Sequence, residues 1–510
     1  MRFYVPRCFC IVFAAMVFLL SSSLHSGIGR AAERGADLLA SVAANGKLVS
    51  SGNAVAALKG GQESARFIVM LAEPATTKKG ASLASESAKA ERRGQVAAVL
   101  DGFLNRKKAA DTGDVTRRFS YMPAFAATLT AVQLQGLLAD EAVAFIREDR
   151  MNKPQLRQGI PLMGASATRS EFSGKGVAVA IADTGVDYNN TYLGAAPLAS
   201  NTKVIGGYDV GLSKADPMDA DGHGTACAGI VAGTIGNTGD YIGGVAPDAK
   251  IYALKITDAT GDASDSAIMA AGEWCVTHQN DDSENPIMII NISFGGERYT
   301  SNCDASMPDY AAAVNNILAA GITVFASSGN DGYCNAMGSP ACLSGIVSVG
   351  AVYDADFGEY TPCVEPESCV TKIADAGCDS GYYTEDATAA DKVAAYSDAA
   401  SFLTLLAPSN QCYTLQCAAQ GSTFNTAFGG TSAASPYAAG AAAALQSAAK
   451  EERGEFLTPA QVKSLLVGTG RPITDTKAAV TKPRVNLQAA IDRMLGRNAT
   501  APQGLLLLGE

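Results

Sequence analysis

A mostly parallel α/β sheet with helices on both faces, preceded by a small α+β unit, is the architecture this sequence predicts. Two observations carry it. From residue 176 onward, short apolar runs (GVAVAIAD, AKIYALKI, IMIINISFGG, GITVFASSGN, GIVSVGAV) alternate with segments of helical period. Strands buried on both faces read as near-continuous apolar runs, and parallel neighbours need helical crossovers between them. Upstream, FIVML (from Phe67), AFAATLT and AVAFIRE read as strands, with a polar helix over Ser85 to Asn105 and an amphipathic helix in AVQLQGLLAD. That mixture lacks the strand-helix rhythm and predicts a separate α+β unit.

Taken in order, the chain opens with a basic MRFYVPR and the apolar CFCIVFAAMVFLL, followed by small and polar residues. A run of that length is too short for a spanning helix and has the layout of an export signal, so residues 1–31 are assigned to a leader and the protein is expected to be secreted, into a periplasm or the medium. A short membrane anchor is the other reading of the same run. Residues 32–65, rich in Ala, Gly and Ser, are read as a spacer, 66–150 as the α+β unit, and Met151 to about Ser173 as a linker. The large domain is placed at 155–495 and a tail at 496–510. Within that domain helices are expected near His223, over Ser266 to Cys275, around Tyr310 to Ala320, from Thr431 through AAGAAAALQSAAK, and in LTPAQVKSLLVG, with a short strand at Arg484 to Asn486. Two stretches break the rhythm: an acidic, Cys-bearing insertion at 354–392, and Pro408 to Phe424. Structureless loops of that length inside a compact domain are pinned or functional.

With 47% hydrophobic and 17% charged residues over 510 positions, the chain can bury a large core. A net charge of -11 without a clustered Lys/Arg face excludes a nucleic-acid partner. No stretch outside the leader is apolar over enough residues to span a bilayer, and a monomer is expected. Ten cysteines remain beyond the leader, at 227, 275, 303, 334, 342, 363, 369, 378, 412 and 417. Their spacings lack the repeated CxxC of a zinc site, so disulfides are expected, with the pairing open. Cys227, inside an apolar helical run, is read as a buried thiol.

The chemistry concentrates in three Gly-rich breaks between apolar runs. Asp183 ends a strand in VAVAIADTGVD, His223 opens a helix in DGHGTACAGIVAG, and Ser432 opens another in FGGTSAASPYAAG. A serine hydroxyl is a weak nucleophile until a base removes its proton, and the base needs an acid that fixes its tautomer. An acid, a base and a hydroxyl at strand ends and helix starts supply those parts, where open α/β sheets place their sites. Backbone N–H groups at the helix start carrying Ser432 can bind a developing oxyanion, and Asn330 in VFASSGND is the candidate side-chain donor.

The motifs DTGVD, DGHGT, SFGG, SSGND and GGTSAASP, in that order, resemble those of the subtilisin-like serine peptidases, whose triad also runs Asp, His, Ser. The resemblance covers about residues 155 to 492 and implies the three-layer subtilisin-like fold, a polypeptide substrate and catalysis without a required cofactor. It implies that Asp183 orients, His223 is the general base, Ser432 the nucleophile and Asn330 the oxyanion donor. It further implies that Ser293, Phe294, Gly295 and Gly296, and Ser327, Ser328 and Gly329, wall the primary specificity pocket. An extended substrate is expected to pair with SFGG and with the stretch around Thr257 to Ala263. The upstream unit is similar to the family's inhibitory propeptides, which implies a self-processed zymogen, with its own propeptide as intramolecular inhibitor and the cut between about Ile146 and Ile160.

The chain departs from the family at Ala433, where a Met is frequent, and at Asn190 and Thr191, where His-Pro is usual. The second change bears on a structural Ca²⁺ that the family often carries. The loop Ile235 to Gly244 could hold that ion through Asp240 and carbonyl oxygens, or be a plain turn. Asp331 is read as a solvated turn residue, with a charge-selective pocket mouth as the alternative, and His278 as a surface helix-end residue. Two rival functions remain in view. An ester-cleaving α/β hydrolase would need GxSxG and an acid between Ser and His, whereas position 434 is Ala and the acid comes first. A catalytically decayed scaffold or binding protein on the same fold would keep the architecture without the turnover.

Overall fold

The computed structural model describes residues 46–497 except 50–53, 56–57, 59–61, 74–82, 84, 108, 150, 155–158, 237 and 239. The expected leader, most of the spacer and the tail beyond Arg497 lie outside the described residues. The described chain falls into two compact units, one from residues up to 75, 95–119 and 123–149, the other from 76–94, 120–122 and 150 onward.

The smaller unit is a five-stranded sheet of β1 (Leu48–Val49), β2 (Ala65–Leu71), β3 (Asp114–Arg118), β4 (Ala124–Leu129) and β5 (Val143–Glu148), in the order β1-β5-β2-β4-β3. Phe67 and Val69 of β2 and Phe125 of β4 pack with Leu100 and Phe103 of helix α1 (Glu86–Arg106) and Leu134 of helix α2 (Ala131–Leu138). Helix α2 starts at a capping box, in which Thr130 Oγ1 accepts from Gln133 N and Gln133 Oε1 accepts from Thr130 N. Strand β3, DVTRR, is absent from the sequence reading because an edge strand of polar residues carries no apolar alternation.

The larger unit opens with β6 (Met151–Pro154) and helix α3 (Ala165–Glu171), so the segment 151–173 is not a plain linker. Its core is a nine-stranded sheet. In chain order the members are β7 (Ala178–Asp183), β8 (Val204–Asp209), β9 (Lys250–Lys255), β11 (Ile287–Ile292), β13 (Thr323–Ser327), β14 (Val347–Tyr353), β15 (Leu405–Ser409), β16 (Arg471–Asp475) and β17 (Val480–Arg484), while β10 (Ala263–Ser264) and β12 (Phe294–Gly295) lie outside it. The spatial order is β16-β17-β15-β14-β13-β11-β7-β9-β8, parallel throughout except for β16 against β17. The short strand expected at Arg484 to Asn486 lies earlier, in β17, which ends at Arg484, and the hairpin it forms with β16 is additional.

Every residue of β7 is buried, as a strand covered on both faces requires. Val179 and Ile181 point into a core shared with helices α4 (His223–Ala232) and α7 (Thr431–Arg453). Helices α5 (Asp265–Thr277) and α6 (Pro308–Ala319) pack against each other and against the strands, giving three layers. Helices α8 (Pro459–Thr469) and α9 (Leu487–Leu495) complete the side of α7. The chain passes from β7 to β8 and β9 on one side, then crosses to β11 on the other, so the carboxyl end of β7 is a topological switch point.

The insertion 354–392 holds short paired strands, Glu359–Tyr360 with Asp386–Ala387 and Ile373–Ala374 with Tyr382–Tyr383. Disulfides join Cys303 to Cys342, Cys334 to Cys369 and Cys363 to Cys378. Cys227 is a buried thiol as expected, but Cys275, Cys412 and Cys417 are buried thiols too, which corrects the expectation of general pairing. Among the described residues no helix is long and apolar enough to cross a membrane.

Candidate active site

Asp183 is the last residue of β7, fully buried, and His223 the first of α4. His223 Nδ1 and Asp183 Oδ1 stand 2.6 Å apart, so the Nδ1–H donates to the carboxylate and leaves Nε2 as the ring's basic nitrogen. The approach depends on Gly224, where a Cβ would sit 2.1 Å from the carbonyl oxygen of Gly185. Phe294 and Phe428 flank the imidazole, with ring centroids 5.7 and 5.9 Å away, and exclude water from its sides.

Ser432 lies in the first turn of α7, where backbone N–H groups have no intrahelical acceptor. Four residues on, Pro436 has no N–H to give to the Ser432 carbonyl. Ser293 fills that gap, its Oγ donating to Ser432 O at 2.9 Å, and Asn291 Nδ2 donates in turn to Ser293 Oγ at 3.0 Å. Ser432 Oγ donates to Ser293 O at 3.1 Å, and His223 Nε2 is buried without a hydrogen bond.

Asn330 follows the end of β13. Its Oδ1 accepts from Thr431 N at 2.8 Å and Thr431 Oγ1 at 3.1 Å, which fixes the amide and turns its Nδ2 donor away from those partners. The two segments expected to wall the pocket stand together. Phe294 and Gly295 form β12, Gly296 N donates to Ser339 O at 2.8 Å, and Gly338 N donates to Ser328 O at 2.9 Å, so residues 338 and 339 join Ser293–Gly296 to the segment Ser327, Ser328 and Gly329. Strand β6 lies antiparallel between β12 and β10, with Pro154 opposite Phe294, Lys153 opposite Gly295 and Asn152 opposite Ala263. Those are the edges expected to pair with an extended substrate, occupied here by the chain itself.

Two residues at the site, Asp219 and Asp398, escape the sequence reading. Asp219 is buried, and its Oδ1 accepts from Thr184 Oγ1, Asp221 N and Gly222 N, its Oδ2 from Thr225 N and Oγ1. It therefore clamps the start of α4 to the end of β7. Burial pushes its pKa up, against the hydrogen bonds from Gly222 and Thr225. Asp398 does the same for the Asn330 turn, its Oδ1 accepting from Asp331 N at 3.1 Å and Tyr333 N at 2.9 Å. Burial, then Asp331, pushes its carboxyl well above the usual range. Cys227 Sγ is 3.8 Å from both His223 Nδ1 and Ser432 O, and burial, then Asp183, holds it as a thiol. Asp331, read as solvated, is half-buried, and burial with Glu365 pushes it up to about 6. His278 is the helix-end residue expected, at the C-cap of α5, with Nδ1 2.7 Å from Asp281 Oδ2.

The loop Ile235 to Gly244, described except for residues 237 and 239, is held by an arginine. Asp240 is exposed, and the carbonyls of Ile242, Gly243 and Gly244 accept from the Arg169 guanidinium at 2.8, 3.4 and 3.0 Å. Tyr192 and Tyr241, with ring centroids 4.7 Å apart, pack beside it, both against Phe424. A fixed organic cation thus holds three carbonyl oxygens of this loop. Among the described residues the one tight group of His, Cys and carboxylate atoms is Asp183, His223 and Cys227, two of which the site already uses.

The profile of the Subtilase family matches residues 174–496. Subtilisin E of Bacillus subtilis (strain 168) is 28% identical over 386 residues, spanning 74% of this chain and 83% of its own. Serine protease AprX of the same organism is 28% identical over 297 residues (58% of this chain, 61% of its own), and alkaline elastase YaB of Bacillus sp. is 30% identical over 254 (48% and 60%).

Proposed function

Because the chain belongs to the subtilase family and is a subtilisin-like serine peptidase, we propose that it is a secreted endopeptidase, made as a self-processed zymogen, whose acyl-enzyme forms on Ser432. The observation that carries the assignment of roles is the 2.6 Å contact of Asp183 with His223 Nδ1, beside a serine in the first turn of α7. In this reading Ser432 Oγ attacks the scissile carbonyl while His223 Nε2 takes its proton, and Asp183 stabilises the imidazolium. The oxyanion is met by Asn330 Nδ2 and the amide of Ser432. His223 then protonates the leaving amine, and water attacks the acyl-enzyme by the reverse route.

The zymogen reading is supported by the pairing of β6 with β10 and β12, which lays residues 151–154 along the edges expected to take a substrate. Export is supported by the leader sequence and by disulfides, which persist in oxidising compartments. The test is an active-site label. A fluorophosphonate should form one adduct, on Ser432, and abolish hydrolysis of a peptide substrate. A protein that hydrolyses esters but no peptide, or that takes up no label, overturns the reading.

A further inference from the structure

We propose that the Cys-bearing insertion builds a second specificity pocket, on the leaving-group side of the scissile bond, which takes a Lys or Arg side chain. The proposal rests on the peptidase reading above. A cavity of about 530 Å³ is bounded on one side by Asn330, Gly429 and Gly430, from the oxyanion turn and the loop before Ser432. On its other side stand residues of the insertion, with Glu365 and Asp379 lining the same cavity as Asp331.

Its side of the nucleophile is set by strand direction. A chain in the groove runs as β6 does, antiparallel to β12, with Lys153 and then Pro154 passing Gly295 and Phe294 toward Ser293. Residues before the cut thus lie along β10 and β12. Neither of those strands lines the cavity, nor does Ser327, Ser328 or Gly329 of the primary pocket wall. The cavity begins where the Ser432 loop does, so it meets substrate residues beyond the cut.

The insertion is fixed there. The Cys334–Cys369 bridge ties it to the segment after Asn330, Glu365 N donates to Asp331 O at 2.9 Å, and Ser368 Oγ donates to Gly332 O at 2.7 Å. Among the described residues, Asp331, Glu365 and Asp379 take part in no ion pair. Three carboxylates without a cation around one cavity favour a positive guest. Tyr360 and Tyr396 line the same cavity and offer faces for an aliphatic stem or a guanidinium.

The experiment uses the mature enzyme and quenched peptides that differ only at the second position after the cut, carrying Arg, Ala or Glu. The wild type should favour Arg over Ala by about tenfold in kcat/KM and disfavour Glu. The Glu365→Gln, Asp379→Asn double variant should keep its rate on the Ala peptide and lose the preference. Equal rates on all three peptides, or a preference that survives the double substitution, overturn the proposal while leaving the peptidase reading intact. If the double variant does not fold, Asp379→Asn alone, at an exposed position, should reduce the preference; an unchanged preference counts against the pocket. No cleavage of any peptide by the wild type overturns both.

Discussion

The hydroxyl of Ser432 donates to the carbonyl oxygen of Ser293 at 3.1 Å, and Ser293 Oγ returns a hydrogen bond to Ser432 O at 2.9 Å. Ser432 is thereby tied, through both its side chain and its backbone, to the segment along which the proposed substrate would lie. The return bond exists because Pro436 has no N–H to satisfy that carbonyl.

Ser293→Ala should therefore leave a buried carbonyl and the Asn291 amide short of partners. The expected cost is about 1–3 kcal/mol of stability. Urea unfolding in a Ser432→Ala background, where self-digestion cannot interfere, reads it. The same substitution in active enzyme should lower kcat more than it changes KM.

Asn330→Ala removes a donor that the reading uses only when the oxyanion forms. The expected loss in kcat is about 10²–10³-fold, the magnitude found for the corresponding donor of subtilisin itself, with KM little changed. A loss that appears only in KM would place Asn330 in substrate binding.

Asp331 gives a pH signature. Burial and Glu365, then Glu367, raise its folded pKa to about 6, above the unfolded value near 3.9. A raised carboxyl contributes stability that is present below about pH 4 and lost as pH rises through about 6. Asp331→Asn should then be more stable than its parent at pH 7 and above, by on the order of 2 kcal/mol, and no more stable at pH 4. Unfolding curves at pH 4 and pH 8 in the Ser432→Ala background give the difference.

Arg169→Ala should free the carbonyls of Ile242, Gly243 and Gly244 and cost about 1–3 kcal/mol. Added protease should then nick the loop Ile235 to Gly244. A chelator should leave nicking of the parent unchanged at this loop. Nicking induced by the chelator would mean that a metal, not Arg169, holds it.

Much of this candidate site is legible in the sequence because each group proposed to react sits where an apolar run meets glycine. Asp183 ends a fully buried strand, and His223 and Ser432 open helices, so local pattern alone marks all three. The residues that position them carry no such mark. Asp219 and Asp398 act by accepting backbone N–H groups in a folded turn, and Arg169 by reaching carbonyls more than seventy positions away. Strand β3 is hidden because its residues are polar, and the pairing of cysteines depends on which loops meet. Strand β6 reads as linker because MNKP has no strand pattern and is ordered by its two neighbours.

The most direct measurement is the intact mass of the wild type and of Ser432→Ala, each purified from a host without other peptidases. The wild type should begin between about residues 146 and 160, and Ser432→Ala should keep everything upstream except the leader. A Ser432→Ala protein that matures to the wild-type mass would contradict the assignment of Ser432 as the nucleophile of a self-processing zymogen.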